Sequence, residues 1–251
     1  MMEQIKVQGS SSLRRLRLLQ EIAIVGLGYL VYSQIRGLAA DRVLDAFANG
    51  YRIVEIERDL GIFKELALQT WVLPHAALVQ VLNVIYFYGL FPLLLPTSVF
   101  LFFKRPRVYI LARNAFLVSG GIAVCFFLIL PTAPPRLLDI GLIDTLSNGL
   151  APSYSSIPGV NHYAALPSMH VGWNFLTVYS LYLALDGLRG RGLLLPVPAI
   201  MLTATVATGN HYFLDGLLGL MVALAGLGIA LVLRNWSERR QLQRLQAPSS
   251  V

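Results

Sequence analysis

Residues 213–233 read FLDGLLGLMVALAGLGIALVL, twenty-one residues whose one charge is Asp215. A run of this length and polarity crosses a bilayer as a helix, because about twenty residues at a 1.5 Å rise match a hydrocarbon core ~30 Å thick. The run therefore decides the fold class, a helical membrane protein. The acid at its start decides where to look for chemistry. An ionisable group in a span is costly and calls for a partner. His211, four residues before Asp215, is the nearest one. Four residues make one helical turn, which sets carboxylate and imidazole on one face. That arrangement holds one ring nitrogen protonated and frees the other as a base or nucleophile.

The rest of the 251-residue chain extends the pattern, with 56% hydrophobic residues, 13% charged residues and a mean hydropathy of +0.64. A soluble domain carries about 25% charge. Apolar runs near 18–38, 74–103, 108–131, 170–188 and 193–209 join 213–233 as candidate spans. The expected fold is all-α: a polytopic bundle of six transmembrane helices over 18–236, between polar tails at 1–17 and 237–251. The net charge of +7 does not point to nucleic acid, because its basic clusters flank the apolar runs. They lie at Arg14, Arg15 and Arg17, at Lys104, Arg105 and Arg107, at Arg189 and Arg191, and at Arg234, Arg239, Arg240 and Arg244. Such clusters orient spans and meet anionic membrane lipids. Six crossings place both termini and the basic loops 104–107 and 189–192 in the cytoplasm of a multi-pass cell-membrane protein. Loops 39–73, 132–169 and 210–212 then face outside. Arg14–Arg17 ahead of Ile22–Ile35 has the look of a signal peptide, but Leu38-Ala39-Ala40 lacks a small first residue, so an uncleaved first span is expected.

Segment 41–69 mixes near-balanced charge with apolar residues at helical spacing. It reads as an amphipathic helix between spans 1 and 2, on the outer surface or capping the bundle. The loop 132–169, with Pro134, Pro135, Pro152, Pro158 and Gly159, has the length of a functional loop. The single Cys125 lies in an apolar run, which excludes an intrachain disulfide and a cysteine-rich metal site and leaves a packing role.

A second stretch, Leu166-Pro167-Ser168-Met169-His170, supplies a helix start. Proline favours the first turn and serine caps it, so free N–H groups and the positive dipole end make an anion site. Ser168 adds a hydroxyl and His170 lies within the first turn. An ordinary capped helix with an interfacial histidine is the competing account. Arg136 leaves the third span in Leu130-Pro131-Thr132-Ala133-Pro134-Pro135-Arg136, where a guanidinium suits bidentate phosphate contact or anchors at headgroup level. His162, beside Asn161, reads as a headgroup contact or as a surface histidine, and Asn210 beside His211 reads as a headgroup contact. His75 reads as an interface residue and Arg113 as a topology signal.

As a set, these motifs resemble the type 2 phosphatidic acid phosphatase (PAP2) superfamily. Pro-Ser-Met-His at 167–170 is followed about forty residues later by His211 and Asp215. Pro-Thr-Ala-Pro-Pro-Arg at 131–136, Ala-Leu-Pro-Ser-Met-His at 165–170 and Asn-His-Tyr at 210–212 are most similar to the branch with the inositol phosphorylceramide synthases and bacterial relatives. Leu60-Gly61-Ile62-Phe63-Lys64-Glu65, Gln69 and Asn83 extend the resemblance, which runs from about Glu57 to about Leu220. It implies a six-helix fold with its site at the outer leaflet, a phosphohistidine on His211 oriented by Asp215, and His170 as acid and then base. Arg136, Ser168 and backbone N–H groups hold the phosphoryl oxygens in that scheme, which uses no metal and no cofactor. The implied partners are a lipid phosphate and an alcohol or water acceptor.

The chain departs from the superfamily's pattern twice. Thr205 stands six residues before His211, where an arginine is usual, and Ile129 stands seven before Arg136, where a lysine is usual. Fewer fixed cations neutralise a phosphate monoester less well, which favours a diester donor and headgroup transfer over lipid-phosphate hydrolysis. A non-enzymatic transporter or lipid-binding protein predicts acids near the bilayer midplane, whereas Asp186 and Asp215 lie at span ends. A metal site built from His162, His170 and His211 lacks helical ligand spacing.

Overall fold

A computed structural model describes residues 2–38, 41–146, 161–185 and 187–246. The expectations for Pro152, Pro158, Gly159 and Asp186, and for the last five residues of the tail, lie outside the described residues. Ten α-helices follow in order: α1 (Met2–Gly37), α2 (Val43–Asp59), α3 (Glu65–Val72), α4 (Ala76–Tyr88), α5 (Leu90–Lys104), α6 (Pro106–Ile129), α7 (Met169–Ala184), α8 (Leu188–Gly192), α9 (Val197–Ala207) and α10 (Phe213–Gln246). A short 3₁₀ turn, Pro135–Leu137, follows α6. No strand occurs among the described residues; an isolated bridge pairs Thr132 with Ala164.

Among the described residues, four helical stretches are long and apolar enough to cross a membrane: Arg15–Gly37, Pro106–Ile129, Gly190–Ala207 and Phe213–Arg240. The chain is thus a helical membrane protein, and four of the six expected spans are single helices of that kind. The run 74–103 is two helices, α4 and α5, bent by 44° at Gly89. Pro92 explains the break: it has no N–H, and its ring opposes the carbonyl four residues back, at Tyr88 where α4 ends. Counted as one broken span, the pair makes a fifth crossing. α7 has 16 residues, about 24 Å, which falls short of a straight crossing.

Segment 41–69 is also two helices, because Gly61, at a φ of +71° that favours glycine, turns the chain between α2 and α3. The buried face of α2 runs Ala46, Gly50, Ile53, Val54 and Glu57, at helical spacing. It packs with Ala133, Leu138, Leu166 and Tyr212, so α2 caps the end of the bundle where the two histidine motifs meet. Cys125 is exposed on α6 and has no packing role inside the bundle.

α10 packs along α6 and α7, and glycines let these neighbours close on it. A Cβ on Gly219 would collide with the Ser168 carbonyl, and one on Gly172 of α7 with the Gly219 carbonyl. Farther along, a Cβ on Gly226 would lie 2.7 Å from the Ala115 carbonyl of α6. This close approach fixes the start of α7 against the first turn of α10. Thr132 and its neighbours then tie the two ends of the long loop together, with Thr132 N–H donating to Tyr163 O at 2.8 Å and Ala165 N–H to Thr132 O at 3.2 Å.

Candidate active site

His211 sits in the turn between α9 and α10, not on a helix as its spacing from Asp215 suggests. α9 ends in a bend where Gly209 takes a φ of +71°. The Thr205 carbonyl then receives the N–H groups of Asn210 at 3.0 Å and His211 at 3.1 Å. α10 begins at Phe213, so Tyr212 is its N-cap and Asp215 its third residue. From there Asp215 Oδ2 accepts Tyr212 N–H at 3.1 Å and faces His211 Nδ1 at 3.2 Å. The pairing thus survives through a different geometry: the carboxylate reaches back to the cap, as an acid at this position does, and takes the imidazole with it.

Two further carboxyls complete the start of α10. Glu65 Oε1 accepts Phe213 N–H at 2.9 Å, and Glu57 Oε1 accepts Leu214 N–H at 2.7 Å. Both glutamates are fully buried. The second oxygen of each finds no N–H or hydroxyl donor, and the two carboxyls hydrogen-bond to each other, so one of them carries a proton. Burial first, and then that bond, push Glu57 up to about 9. The N–H groups of Tyr212, Phe213 and Leu214 are thereby spent on carboxyl oxygens.

The start of α7 faces this turn. Ser168 N–H donates to Asp215 O at 3.0 Å, which joins the two motifs through the backbone. Ser168 is the N-cap and Pro167 precedes it, so the proline is not in the first helical turn. The Ser168 side chain makes no cap bond, and its hydroxyl is buried without a partner. His170 and His211 have ring centroids 5.8 Å apart, and Tyr86 of α4 packs against both, at 4.7 and 6.2 Å.

Arg136 arrives from the 3₁₀ turn. Its N–H donates to Gly209 O at 2.9 Å, its Nη1 donates to Asn210 Oδ1, and its Nε lies 3.6 Å from Asp144 Oδ2. Asn210, expected at a headgroup, holds this guanidinium and, with Asn161, lines the cavity beside it. Asn161 is likewise occupied, with Oδ1 receiving Tyr163 N–H at 2.8 Å and Nδ2 donating to Arg36 O at 2.6 Å. A cavity of about 500 Å³ is lined by His170, His211, Arg136, His162 and Tyr86, and also by Arg36 from the end of α1. Asp215 and Ser168 lie behind this wall. Burial, and then Arg136, push the His211 imidazole down to about 3, against a hydrogen bond to the Ala165 backbone, so the ring is neutral at ordinary pH. Burial also lowers His162. Among the described residues no group of three histidines, cysteines or acids is placed to hold a metal.

A family model described as the PAP2 superfamily matches residues 51–229. The chain belongs to the PAP2 superfamily. Its members are generally phosphatases and phosphotransferases, which places this protein among enzymes acting on lipid phosphates. No curated protein and no solved structure matches the chain.

Sequence reasoning missed the roles of Glu57, Glu65 and Arg36. The glutamates carried a signal, since both fall on the apolar faces of α2 and α3 where a charge has to have a partner. Arg36 stands at the end of a span, where a long basic side chain commonly reaches lipid headgroups, so nothing local singles it out. Gln69 and Asn83, part of the resemblance without an assigned role, pin the loop that carries Asp144. Gln69 Oε1 receives Ile143 N–H at 2.8 Å, and Asn83 Nδ2 donates to Thr145 O at 2.8 Å. Thr205 is buried with its hydroxyl on Leu202 O at 2.8 Å, so it serves the turn through its carbonyl and does not stand in for an arginine.

Proposed function

We propose that the protein transfers a phospho-headgroup from a phospholipid-type donor to an alcohol, at the extracytoplasmic leaflet and through a phosphohistidine. The observation that carries this is the placing of two histidine rings 5.8 Å apart on one cavity with Arg136. With Nδ1 held by Asp215, Nε2 of His211 is the nitrogen that attacks phosphorus, and its contact with the Ala165 backbone yields to the incoming phosphate. As the N–P bond forms, the P–O ester bond breaks and His170 gives its proton to the departing alkoxide. An acceptor alcohol then loses its proton to His170, its oxygen bonds to phosphorus, and the N–P bond breaks. Arg136 steadies the charge on the phosphoryl oxygens, Asn210 orients it, and the hydroxyl of Ser168 and the first N–H groups of α7 support the same anion. The motif set favours the branch that resembles inositol phosphorylceramide synthases, and a diester donor fits the loss of arginine at Thr205.

Arg36 supports a second reading, hydrolysis of a lipid phosphate monoester such as phosphatidic acid or a prenyl phosphate. It brings a second guanidinium to the cavity, which offsets the cation missing at Thr205. One experiment separates the two. Purified protein in detergent receives phosphatidylinositol with an acceptor alcohol, or phosphatidic acid with water. A transfer product supports the transferase; free phosphate without a transfer product rejects it in favour of hydrolysis. In either case His211→Ala is expected to lose activity by on the order of 10⁴-fold or more, and retained activity rejects the phosphohistidine.

A further inference from the structure

The stretch Leu60-Gly61-Ile62-Phe63-Lys64-Glu65 takes no part in the phosphoryl-transfer steps, yet it folds directly against the turn that carries His211. α2 ends at Asp59, and with Gly61 at a φ of +71° the chain curls back on itself. Ile62 and Phe63 then donate their N–H groups to Glu57 O, at 2.8 and 3.1 Å. The curl sets Glu65, the first residue of α3, beside Glu57, and the two carboxyls bond to each other. From there they accept the N–H groups of Phe213, at 2.9 Å, and Leu214, at 2.7 Å. Asp215 Oδ2 takes the N–H of Tyr212 together with Nδ1 of His211. Residues 211–214 thus each hold a carboxyl oxygen.

Neither glutamate lines the catalytic cavity, so any effect on the substrate passes through the turn. On its other side the turn is fastened by Thr205 O, which receives Asn210 and His211 N–H. The charges that act on Glu57 are the carboxyls of Glu65 and Asp215. Tyr212 and Tyr51 are the other titratable groups at this junction. Tyr212 donates its hydroxyl to Ala133 O at 2.9 Å, and the Tyr51 hydroxyl accepts Asp139 N–H at 3.3 Å. Arg58, next to Glu57, lies over the Phe63 ring at 5.1 Å. The second oxygens of Glu57, Glu65 and Asp215 are buried without an N–H or hydroxyl donor. One proton between the glutamates removes a like charge from this dry junction. Without it both are ionised beside Asp215, and buried like charges part.

We propose that Glu57 and Glu65 are positioning residues for the nucleophile: the proton they share lets both carboxyls keep hold of the turn, and its loss lets the turn move and takes His211 out of line with the phosphorus. The proposal rests on the phosphohistidine reading.

The test uses full-length protein in detergent, with initial rates on phosphatidic acid and on phosphatidylinositol with an acceptor alcohol, from about pH 6 to about pH 10. Glu57→Ala and Glu65→Ala each leave one N–H of the turn without its acceptor. Each is expected to lower kcat about 10–100-fold with KM held within about twofold, because the substrate's own contacts are untouched. Glu57→Gln keeps an oxygen for Leu214 and a donor for Glu65, and is expected to recover most of that loss. It also has no proton to release. In the parent, kcat is expected to fall as pH rises through about 9, where Glu57 gives up its proton; in Glu57→Gln that fall is expected to be absent. This comparison needs only the parent and the isosteric variant, so it decides the matter even if the alanine variants fail to fold. A folded alanine variant with unchanged kcat, or a loss carried by KM alone, overturns the proposal. So does a basic limb that Glu57→Gln leaves in place. With His211→Ala inactive, those outcomes leave the phosphohistidine standing. His211→Ala as active as the parent removes that reading, and the proposal with it.

Discussion

Glu57 does not behave as an ordinary glutamate. A carboxyl held protonated up to about 9 binds a proton in the folded protein that the unfolded chain releases above about 4.5. The folded state therefore binds more protons between those values, and this group's contribution to stability falls as pH rises from about 4.5 to about 9. Glu57→Gln, which keeps an oxygen for Leu214 and a donor for Glu65, is expected to flatten that fall. Thermal unfolding in detergent at pH 5 and pH 8.5 checks it, with the variant gaining on the parent at the higher pH. Arg36 makes a second prediction at this scale. Its Nε is buried without a partner beside the cavity, so a bound phosphate is the donor's natural acceptor. Arg36→Met is expected to lower kcat/KM by about 10–100-fold, the worth of a charge-assisted hydrogen bond, with partial recovery in Arg36→Lys. An unchanged kcat/KM removes Arg36 from the site.

At the scale of elements, the site is a meeting of two helix starts with different duties. α10 begins under three carboxyls, which tie down the His211 turn, whereas α7 begins with the Ser168 hydroxyl unbonded and no side-chain cap. The distance between them is set by glycine. Gly219→Ala puts a methyl into the Ser168 carbonyl, and backbone there has little room to give. The variant is expected to lose about 1–3 kcal/mol of stability, the usual cost of overpacking, and to lose activity beyond that by parting Ser168 from Asp215. Gly121→Ala, which meets open space, is the control expected to keep both. Denaturation midpoints and initial rates for the pair decide it. The long spans were legible here because hydropathy is additive along a chain. The breaks at Gly61 and Gly89 were not, because the single residue that causes each, Gly61 itself and Pro92, hides inside a favourable average.

At the scale of the whole molecule, polar chemistry gathers at one end of an apolar bundle, and α2 and α3 close that end. The sequence by itself determined the membrane class, the superfamily, and the pairing of His211 with Asp215. Length, polarity and local spacing are properties of neighbours in the chain, and they need no partner from elsewhere. Only the tertiary structure decided that His211 lies in a turn, that Asn210 serves Arg136, and that Glu57 and Glu65 cap α10 from more than 140 residues away. It also brought Arg36 from the first helix to the cavity that His170, His211 and Arg136 line. Burial and long-range hydrogen bonds carry these assignments, and a buried donor or acceptor finds its partner by proximity in space, which spacing along the chain does not record.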